Sequence, residues 1–130
     1  VGGEDGFSLL PVLTGTGKSA RDTLISHSID GSFAIRQGPW KLCLCRGSGG
    51  WSGPKEKVAK QQGLPPLQLF DLSEDPAETT NVAADHPAEV DRLLQLLNSQ
   101  VAAGRSTPGE PLANDRQVTF LPAGVRLSAD

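Results

Sequence analysis

Two glycine-containing turns divide residues 23–45 into three short segments, and this arrangement constrains the fold more than any other feature of the chain. Each segment alternates apolar with polar or small residues, which is the period of a β-strand. The turns contain Gly31 and Gly38-Pro39, residue types that suit tight reversals of the backbone. The sequence therefore predicts a meander of three antiparallel strands.

The first turn can close in two registers, and the side-chain pattern distinguishes them. A two-residue turn would set Ile25 opposite Arg36 and would mix polar and apolar residues on both faces. A type I turn followed by Gly31 in a left-handed bulge sets Ile25 opposite Ile35 instead. We predict this bulged register because it creates one apolar face, formed by Ile25, His27, Phe33 and Ile35. The opposite face, mainly small or polar, then faces solvent or another domain.

The third strand of the meander carries two cysteines, Cys43 and Cys45, two residues apart. Side chains at this spacing point the same way and lie about 6.5–7 Å apart along an extended strand, which is marginal for a disulfide. The sequence offers no companion ligands for a zinc site beside them. Both are predicted to be packing thiols.

One amphipathic helix is predicted over residues 87–103. Its apolar residues fall at i, i+3, i+4, i+7 and i+11 and form a single stripe of Val90, Leu93, Leu94, Leu97 and Val101. Asp85 or His86 is expected to cap its start, with Pro87 in the first turn, and Gly104 is expected to end it. The stripe is long enough to cover one face of the sheet.

A short alternating run over residues 67–70 is expected to add a fourth strand. The predicted fold class is α+β: a small antiparallel sheet of about four strands covered by one C-terminal amphipathic helix, with long loops. Residues 105–130 are expected to form an irregular tail with possible edge strands at residues 118–120 and 125–127.

Length and charge limit the classes of function. The chain has 130 residues and 37% hydrophobic content, enough for one modest core, so we expect a single domain over residues 1–130. A formal net charge of −3 with scattered basic residues predicts neither nucleic acid nor a membrane surface as a partner. Because the chain begins with Val1 and contains no Met, it is expected to be part of a longer protein.

Three segments without a helical or strand period contain residues that suggest a binding function. Residues 46–66 are predicted to be a long loop, and Trp51 within it is expected either to cover part of the core or to meet a partner or ligand. Gly17-Lys18-Ser19 resembles the end of a phosphate-binding loop, but Val12 stands where that motif needs glycine. Four acidic residues after the fourth strand lack the alternating spacing of a calcium loop and predict a solvated turn, namely Asp71, Glu74, Asp75 and Glu78.

Four ordered blocks of the sequence resemble the C-terminal part of sulfatases of the arylsulfatase type. They are DGFSLLPVLTG, LISHSIDGSFAIRQGPWKLCLCRGSGGWS, LQLFDLSEDPAETTNVA, and the amphipathic helix with GRSTPG after it. The resemblance extends to about Asn114, and its most specific elements are FAIRQGPWKL and LFDLSEDPAETTN. It implies a small antiparallel sheet covered by a helix and packed against a larger α/β catalytic domain.

The resemblance implies a parent protein that hydrolyses sulfate esters with a formylglycine and a calcium ion. The family makes its formylglycine from the first residue of a Cys/Ser-x-Pro/Ala-x-Arg motif, which neither Cys43 nor Cys45 matches. The catalytic domain is therefore expected upstream, absent from this chain, and the chain alone is not expected to turn over sulfate esters. A periplasmic or secreted location is suggested by the resemblance only.

The resemblance also suggests which residues meet a substrate. We expect the loop after the third strand to help form the rim of the substrate cleft for a sulfated small molecule or carbohydrate, because a guanidinium suits sulfate and an aromatic ring suits a sugar face. The predicted contacts are Arg46, Ser48 and Trp51, with Arg36 and His27 behind them. The alternative is an independent, non-catalytic binding or interaction module on a sulfatase-like scaffold.

Overall fold

Four antiparallel strands form one sheet in the order β1-β2-β3-β4 within residues 6–128, the part of the chain that the computed structural model describes. The strands are Thr23–His27 (β1), Phe33–Gln37 (β2), Trp40–Cys43 (β3) and Gln68–Asp71 (β4). Three helices accompany them, Leu10–Leu13 (α1), Glu56–Gln61 (α2) and Pro87–Ala103 (α3). The α+β class is confirmed, whereas the end of the predicted tail, residues 129–130, lies outside the described residues.

The first hairpin closes in the predicted bulged register. Ile25 lies opposite Ile35, and His27 lies opposite Phe33. The Gly31 N–H donates to the Ser28 carbonyl at 3.0 Å, and Gly31 has a φ of +86°, which a residue with a Cβ adopts only at a cost. The glycine thus allows the extra residue that keeps the apolar side chains on one face.

The core lies between that face and α3. Five large side chains are fully buried in it: Ile35, Leu42, Leu69, Leu93 and Leu97. The bounds of α3 and its apolar stripe are as predicted, and Gly104 ends the helix with a φ of +65°. His86 occupies the N-cap position, but its side chain makes no capping hydrogen bond. Its ring lies against Trp40 instead, with the ring centroids 5.0 Å apart.

Two expectations about the less regular segments were wrong. Residues 46–66 are not all loop, because α2 forms within them and buries Ala59. A six-residue helix is too short to show an apolar period, so it left no sign in the pattern. The described tail forms no strand at residues 118–120 or 125–127, and its apolar side chains pack against the core individually, namely Phe120, Leu121, Val125 and Leu127. The predicted fourth strand is confirmed, with bounds one residue later than predicted.

The outer edge of β4 is covered by the side chain of Asn81. Its Oδ1 accepts hydrogen bonds from the N–H groups of Leu69 at 2.9 Å and Ala83 at 3.0 Å, and its Nδ2 donates to the Leu67 carbonyl at 3.1 Å. The Val82 N–H then donates to the Leu69 carbonyl at 2.9 Å. One side chain and one backbone group thus take the place of a fifth strand.

The acidic turn before Asn81 is organised by its own backbone. The Asp75 carboxylate accepts from the N–H groups of Thr79 and Thr80, and the bond from Thr80 is the main reason that the pKa of Asp75 lies below its usual value. The Asp71 carboxylate binds the hydroxyl and N–H of Ser73 in the same way. These carboxylates act as local turn acceptors.

We expect Asn81→Ala to destabilise the β4 edge by about 2 kcal/mol, because the substitution removes three hydrogen bonds that each contribute about 0.5–1.5 kcal/mol. Native-state hydrogen exchange of the Leu69 amide measures the effect directly. Asn98→Ala, on α3, serves as the control and is expected to leave that amide unchanged. Equal exchange rates in Asn81→Ala and the unsubstituted protein would contradict the role of Asn81 at this edge.

Candidate functional site

A groove of about 380 Å³ lies between the first hairpin turn and the loop that follows β3. We call it the Trp51 groove. Its lining residues come from the turn, the loop and the start of α2: Ile29, Asp30, Gly49, Gly50, Trp51, Lys55, Glu56 and Lys57. Two large apolar side chains border it, since Trp51 is 85% exposed and Ile29 is 66% exposed.

Two glycines allow the loop to fold this tightly. Gly49 has a φ of +66°, and a Cβ there would lie 3.2 Å from Ser28 Oγ and 3.4 Å from Cys45 Sγ. A Cβ on Gly47 would lie 2.3 Å from the Pro54 carbonyl oxygen, closer than any real contact. That carbonyl accepts a hydrogen bond from the Ser48 N–H at 2.9 Å. The close approach of the two ends of the loop therefore depends on a residue without a side chain at Gly47.

Trp51 is carried by an ordered backbone but does not cover the described core. The Lys55 ammonium donates to the carbonyl oxygens of Gly50 and Trp51, the latter at 2.9 Å. The Ser48 hydroxyl donates to the Ser52 carbonyl at 2.6 Å and so bridges the residues on either side of Trp51 in the sequence. Of the two roles considered for Trp51, its exposure favours contact with a partner or ligand.

Arg46 lies beside the Trp51 groove, and its guanidinium is engaged within the protein. Nη1 donates to the Leu64 carbonyl at 2.8 Å, and Nε lies 3.5 Å from a Glu56 carboxylate oxygen. The side chain is only 19% exposed and does not line the groove. These contacts connect the end of β3 to both ends of α2.

The remaining two predicted contacts lie away from the Trp51 groove and on opposite faces of the sheet. His27 is exposed, its ring lies tilted against Phe33 with the ring centroids 3.9 Å apart, and it borders a separate cavity of about 520 Å³ near the C-terminal end of α3. Arg36 is on the other face, where its Nε donates to the Gly38 carbonyl at 3.1 Å. A depression of about 160 Å³ beside it also contains the Lys41–Glu78 ion pair. The structure thus brings Trp51 and Ser48 together and separates them from His27 and Arg36.

The cysteines beneath the loop are free thiols, as predicted. Burial raises the pKa of Cys43 to about 11 and also raises the pKa of Cys45. The neutral Cys45 thiol donates to the Gly47 carbonyl at 3.2 Å. Because a thiolate is the reactive form, both cysteines are poor nucleophiles at neutral pH and serve to fill space.

An acidic side chain also borders the groove on the hairpin side. The Asp30 carboxylate accepts hydrogen bonds from the Ser28 hydroxyl at 2.5 Å and from the Ser32 N–H at 3.0 Å. The bond from Ser28 is the main cause of a lowered pKa, so Asp30 is ionised at neutral pH. Lys57, which is exposed at the start of α2, also lines the groove.

Sequence reasoning missed two residues that hold the loop, Glu56 and Gln68. The Glu56 carboxylate accepts from the backbone N–H groups of Arg46 and Gly47, and the Gln68 amide donates to the carbonyls of Cys45 and Gly47. The run KEKVAKQQ, rich in helix-forming residues, directly follows Pro54 and was the available sign of α2. The hydrogen bonds themselves depend on tertiary structure and leave no mark in the sequence.

Comparison with known proteins gives consistent relatives, although no family model matches the chain. The chain is 34% identical to arylsulfatase A of Homo sapiens over 97% of this chain and 25% of that protein. It is 33% identical to choline-sulfatase of Rhizobium meliloti over 68% of this chain and 14% of that protein. A solved structure from a Bacteroides thetaiotaomicron core genetic locus for metabolism of multiple glycosaminoglycans matches with a TM-score of 0.53 and 33% identity. That match covers 69% of this chain and 18% of the solved chain. The chain thus spans about a quarter or less of the relatives it matches.

Proposed function

This chain is a sulfatase homologue over most of its length, and we propose that it is the C-terminal subdomain of a protein that hydrolyses sulfate esters. In this proposal the sheet and α3 are structural, and the Trp51 groove forms part of the rim of the substrate cleft. The whole domain, residues 1–130, then works with an upstream catalytic domain that supplies the reacting groups.

The observation that carries the proposal is the exposed ring of Trp51 on a loop whose backbone is fixed by internal hydrogen bonds. An aromatic ring gains most by contact with an apolar or sugar surface, and its 85% exposure leaves that surface unused within the described chain. A fixed backbone lowers the entropy that a contact would cost. The groove therefore suits a sulfated small molecule or carbohydrate that reaches across from the catalytic domain.

Helix α1 of this chain offers a suitable contact surface for the proposed catalytic domain. Two pairs of large apolar residues, separated by Pro11, are exposed in and beside this helix, by between 46% and 79%: Leu9, Leu10, Val12 and Leu13. Contiguous exposed apolar side chains of this kind mark interaction surfaces. We propose that the upstream domain covers them.

We propose that the calcium ion and the formylglycine belong to the upstream domain, because the described residues of this chain form no site that fits either group. In the described part of the chain, no three His, Cys, Asp or Glu side chains come together as a metal site. Asp71 and Asp75, the acidic candidates of the turn, have their oxygens engaged by neighbouring backbone and hydroxyl groups. The residues following Cys43 and Cys45 do not include the required Pro/Ala-x-Arg.

No helix within residues 6–128 has the length and hydropathy needed to cross a membrane.

We expect Trp51→Ala in the whole protein to raise KM about three- to tenfold with kcat nearly unchanged, as expected for the loss of one aromatic contact worth about 0.5–1.5 kcal/mol. An aryl sulfate and a sulfated monosaccharide are the substrates to assay. Leu112→Ala removes another exposed apolar side chain outside the groove and is the control. An unchanged KM for both substrates would remove Trp51 from the cleft.

A further inference from the structure

The loop that carries Trp51 is held at its first two residues by a single carboxylate. Oε2 of Glu56 accepts hydrogen bonds from the Arg46 N–H at 2.8 Å and from the Gly47 N–H at 3.2 Å. The other oxygen of the same carboxylate lies 3.5 Å from Arg46 Nε. Hydrogen bonds to an ionised acceptor are stronger than those to a neutral one, so this one group fixes both backbone and side chain at the point where the loop leaves β3.

Gln68 holds the same short segment through two of its carbonyl groups. Its Nε2 donates to the Cys45 carbonyl at 3.0 Å and to the Gly47 carbonyl at 2.9 Å. Gln68 belongs to β4, whereas Glu56 begins α2. The start of the loop is therefore held by hydrogen bonds to both α2 and β4.

Helix α2 is itself anchored in a way that suits this role. Ala59 is fully buried, and the Arg46 guanidinium donates to the carbonyl of Leu64, just beyond the helix. Arg46 thus contacts α2 at its beginning through Glu56 and at its end through Leu64. A six-residue helix with only one buried side chain has little packing to fix it, so these polar contacts determine where Glu56 lies.

We propose that Glu56 is a positioning residue that sets the conformation of the loop over residues 46–53, and through it the place of Trp51 at the substrate cleft. The second step of this inference, the place of Trp51 at the substrate cleft, rests on the proposed function. The first step, that Glu56 orders the loop, concerns contacts within this chain. Glu56 itself does not need to touch the substrate.

The test uses Glu56→Ala and Glu56→Gln in the whole protein. Hydrogen exchange measured by mass spectrometry on a peptide over residues 44–55 reports the protection of the Arg46 and Gly47 amides. We expect their exchange in Glu56→Ala to rise roughly tenfold or more, since two charge-assisted bonds are lost. Glu56→Gln keeps an acceptor oxygen and is expected to restore part of the protection.

Steady-state kinetics of the same variants test the second step. We expect Glu56→Ala to raise KM by about the same factor as Trp51→Ala with little change in kcat, and Glu56→Gln to give an intermediate KM. Glu74→Gln, at an exposed position of the acidic turn, removes one negative charge without touching the loop and is expected to change neither exchange nor KM. If Glu56→Ala only destabilised the protein, kcat and the fraction of active enzyme would fall together and KM would not rise on its own.

The possible outcomes separate the two proposals. Unchanged exchange in Glu56→Ala overturns the positioning role whatever the kinetics show. Faster exchange with a raised KM supports it. Faster exchange with an unchanged KM, while Trp51→Ala raises KM, overturns the link from Glu56 to the cleft and leaves the proposed function standing. If neither Glu56→Ala nor Trp51→Ala changes KM, the loop does not form the cleft rim, which overturns both the link from Glu56 to the cleft and the proposed role of the Trp51 groove.

Discussion

Leu97→Ala is expected to lower the free energy of unfolding of the sheet and α3 by about 3 kcal/mol. Leu97 is fully buried in the centre of the apolar stripe, within a cluster that includes Ile35, Leu42 and Leu69. The substitution removes three carbon atoms from a region already closed by the sheet and leaves a cavity. Neighbouring strands cannot close it because their register is fixed by hydrogen bonds on both sides.

Native-state hydrogen exchange of the β2 and β3 amides in the whole protein measures this loss. Leu112→Ala is the matched control, because Leu112 is 42% exposed and the same atoms are then removed from a partly solvated site. Its expected effect is about 0.5 kcal/mol or less. Similar losses in the two variants would mean that α3 does not close the core as described.

Gly47→Ala is expected to lower kcat/KM several-fold and to destabilise the loop by about 2 kcal/mol. The new methyl group would lie 2.3 Å from the Pro54 carbonyl oxygen, 3.1 Å from the Lys55 carbonyl carbon and 3.2 Å from the Glu56 nitrogen. All three are backbone atoms, which cannot rotate aside as a side chain can. Residues 54–56 must move outward, and Glu56 then loses its bonds to the start of the loop.

Another glycine of the same loop provides a control for this substitution. A Cβ on Gly53 would meet no atom within 4 Å, and Gly53 does not line the Trp51 groove. Gly53→Ala is therefore expected to keep KM and the exchange of residues 44–55 close to their original values. If Gly47→Ala behaves like Gly53→Ala, the close approach of the loop ends is not required for activity.

The parts of the fold that the sequence predicted well are those in which local pattern and burial agree. The bulge at Gly31 was predictable because only one register sets Ile25 opposite Ile35. The alternative register would set Ile25 opposite Arg36, and burying that charged side chain is unfavourable. Helix α3 was predictable because its stripe, its first proline and its final glycine indicate the same bounds. Helix α2 was missed because six residues complete fewer than two turns, so no apolar period can develop.

The sequence singles out the loop that carries Trp51, and the role of this loop in binding a substrate stays a prediction. Trp51 stands out in any polar loop, because a large ring there has few ordinary explanations. Arg46 looked like an anion ligand, yet its guanidinium is used by Leu64 and Glu56. Whether an arginine faces a ligand or its own backbone depends on residues 10 to 18 positions away that α2 brings close. Sequence spacing carries no information about such contacts.

The covering of β4 by Asn81 has a consequence for how copies of this chain can associate. A sheet with two open edges can add strands at both sides and grow without limit, which is the route to fibres. In residues 6–128 the sheet ends at β1 on one side and at β4 on the other, and on the β4 side the N–H and carbonyl of Leu69 are taken by Asn81 and Val82. A second copy that added a strand beside β4 would have to displace these bonds. Asn81 therefore blocks one of the two edges that unlimited edge-to-edge growth requires.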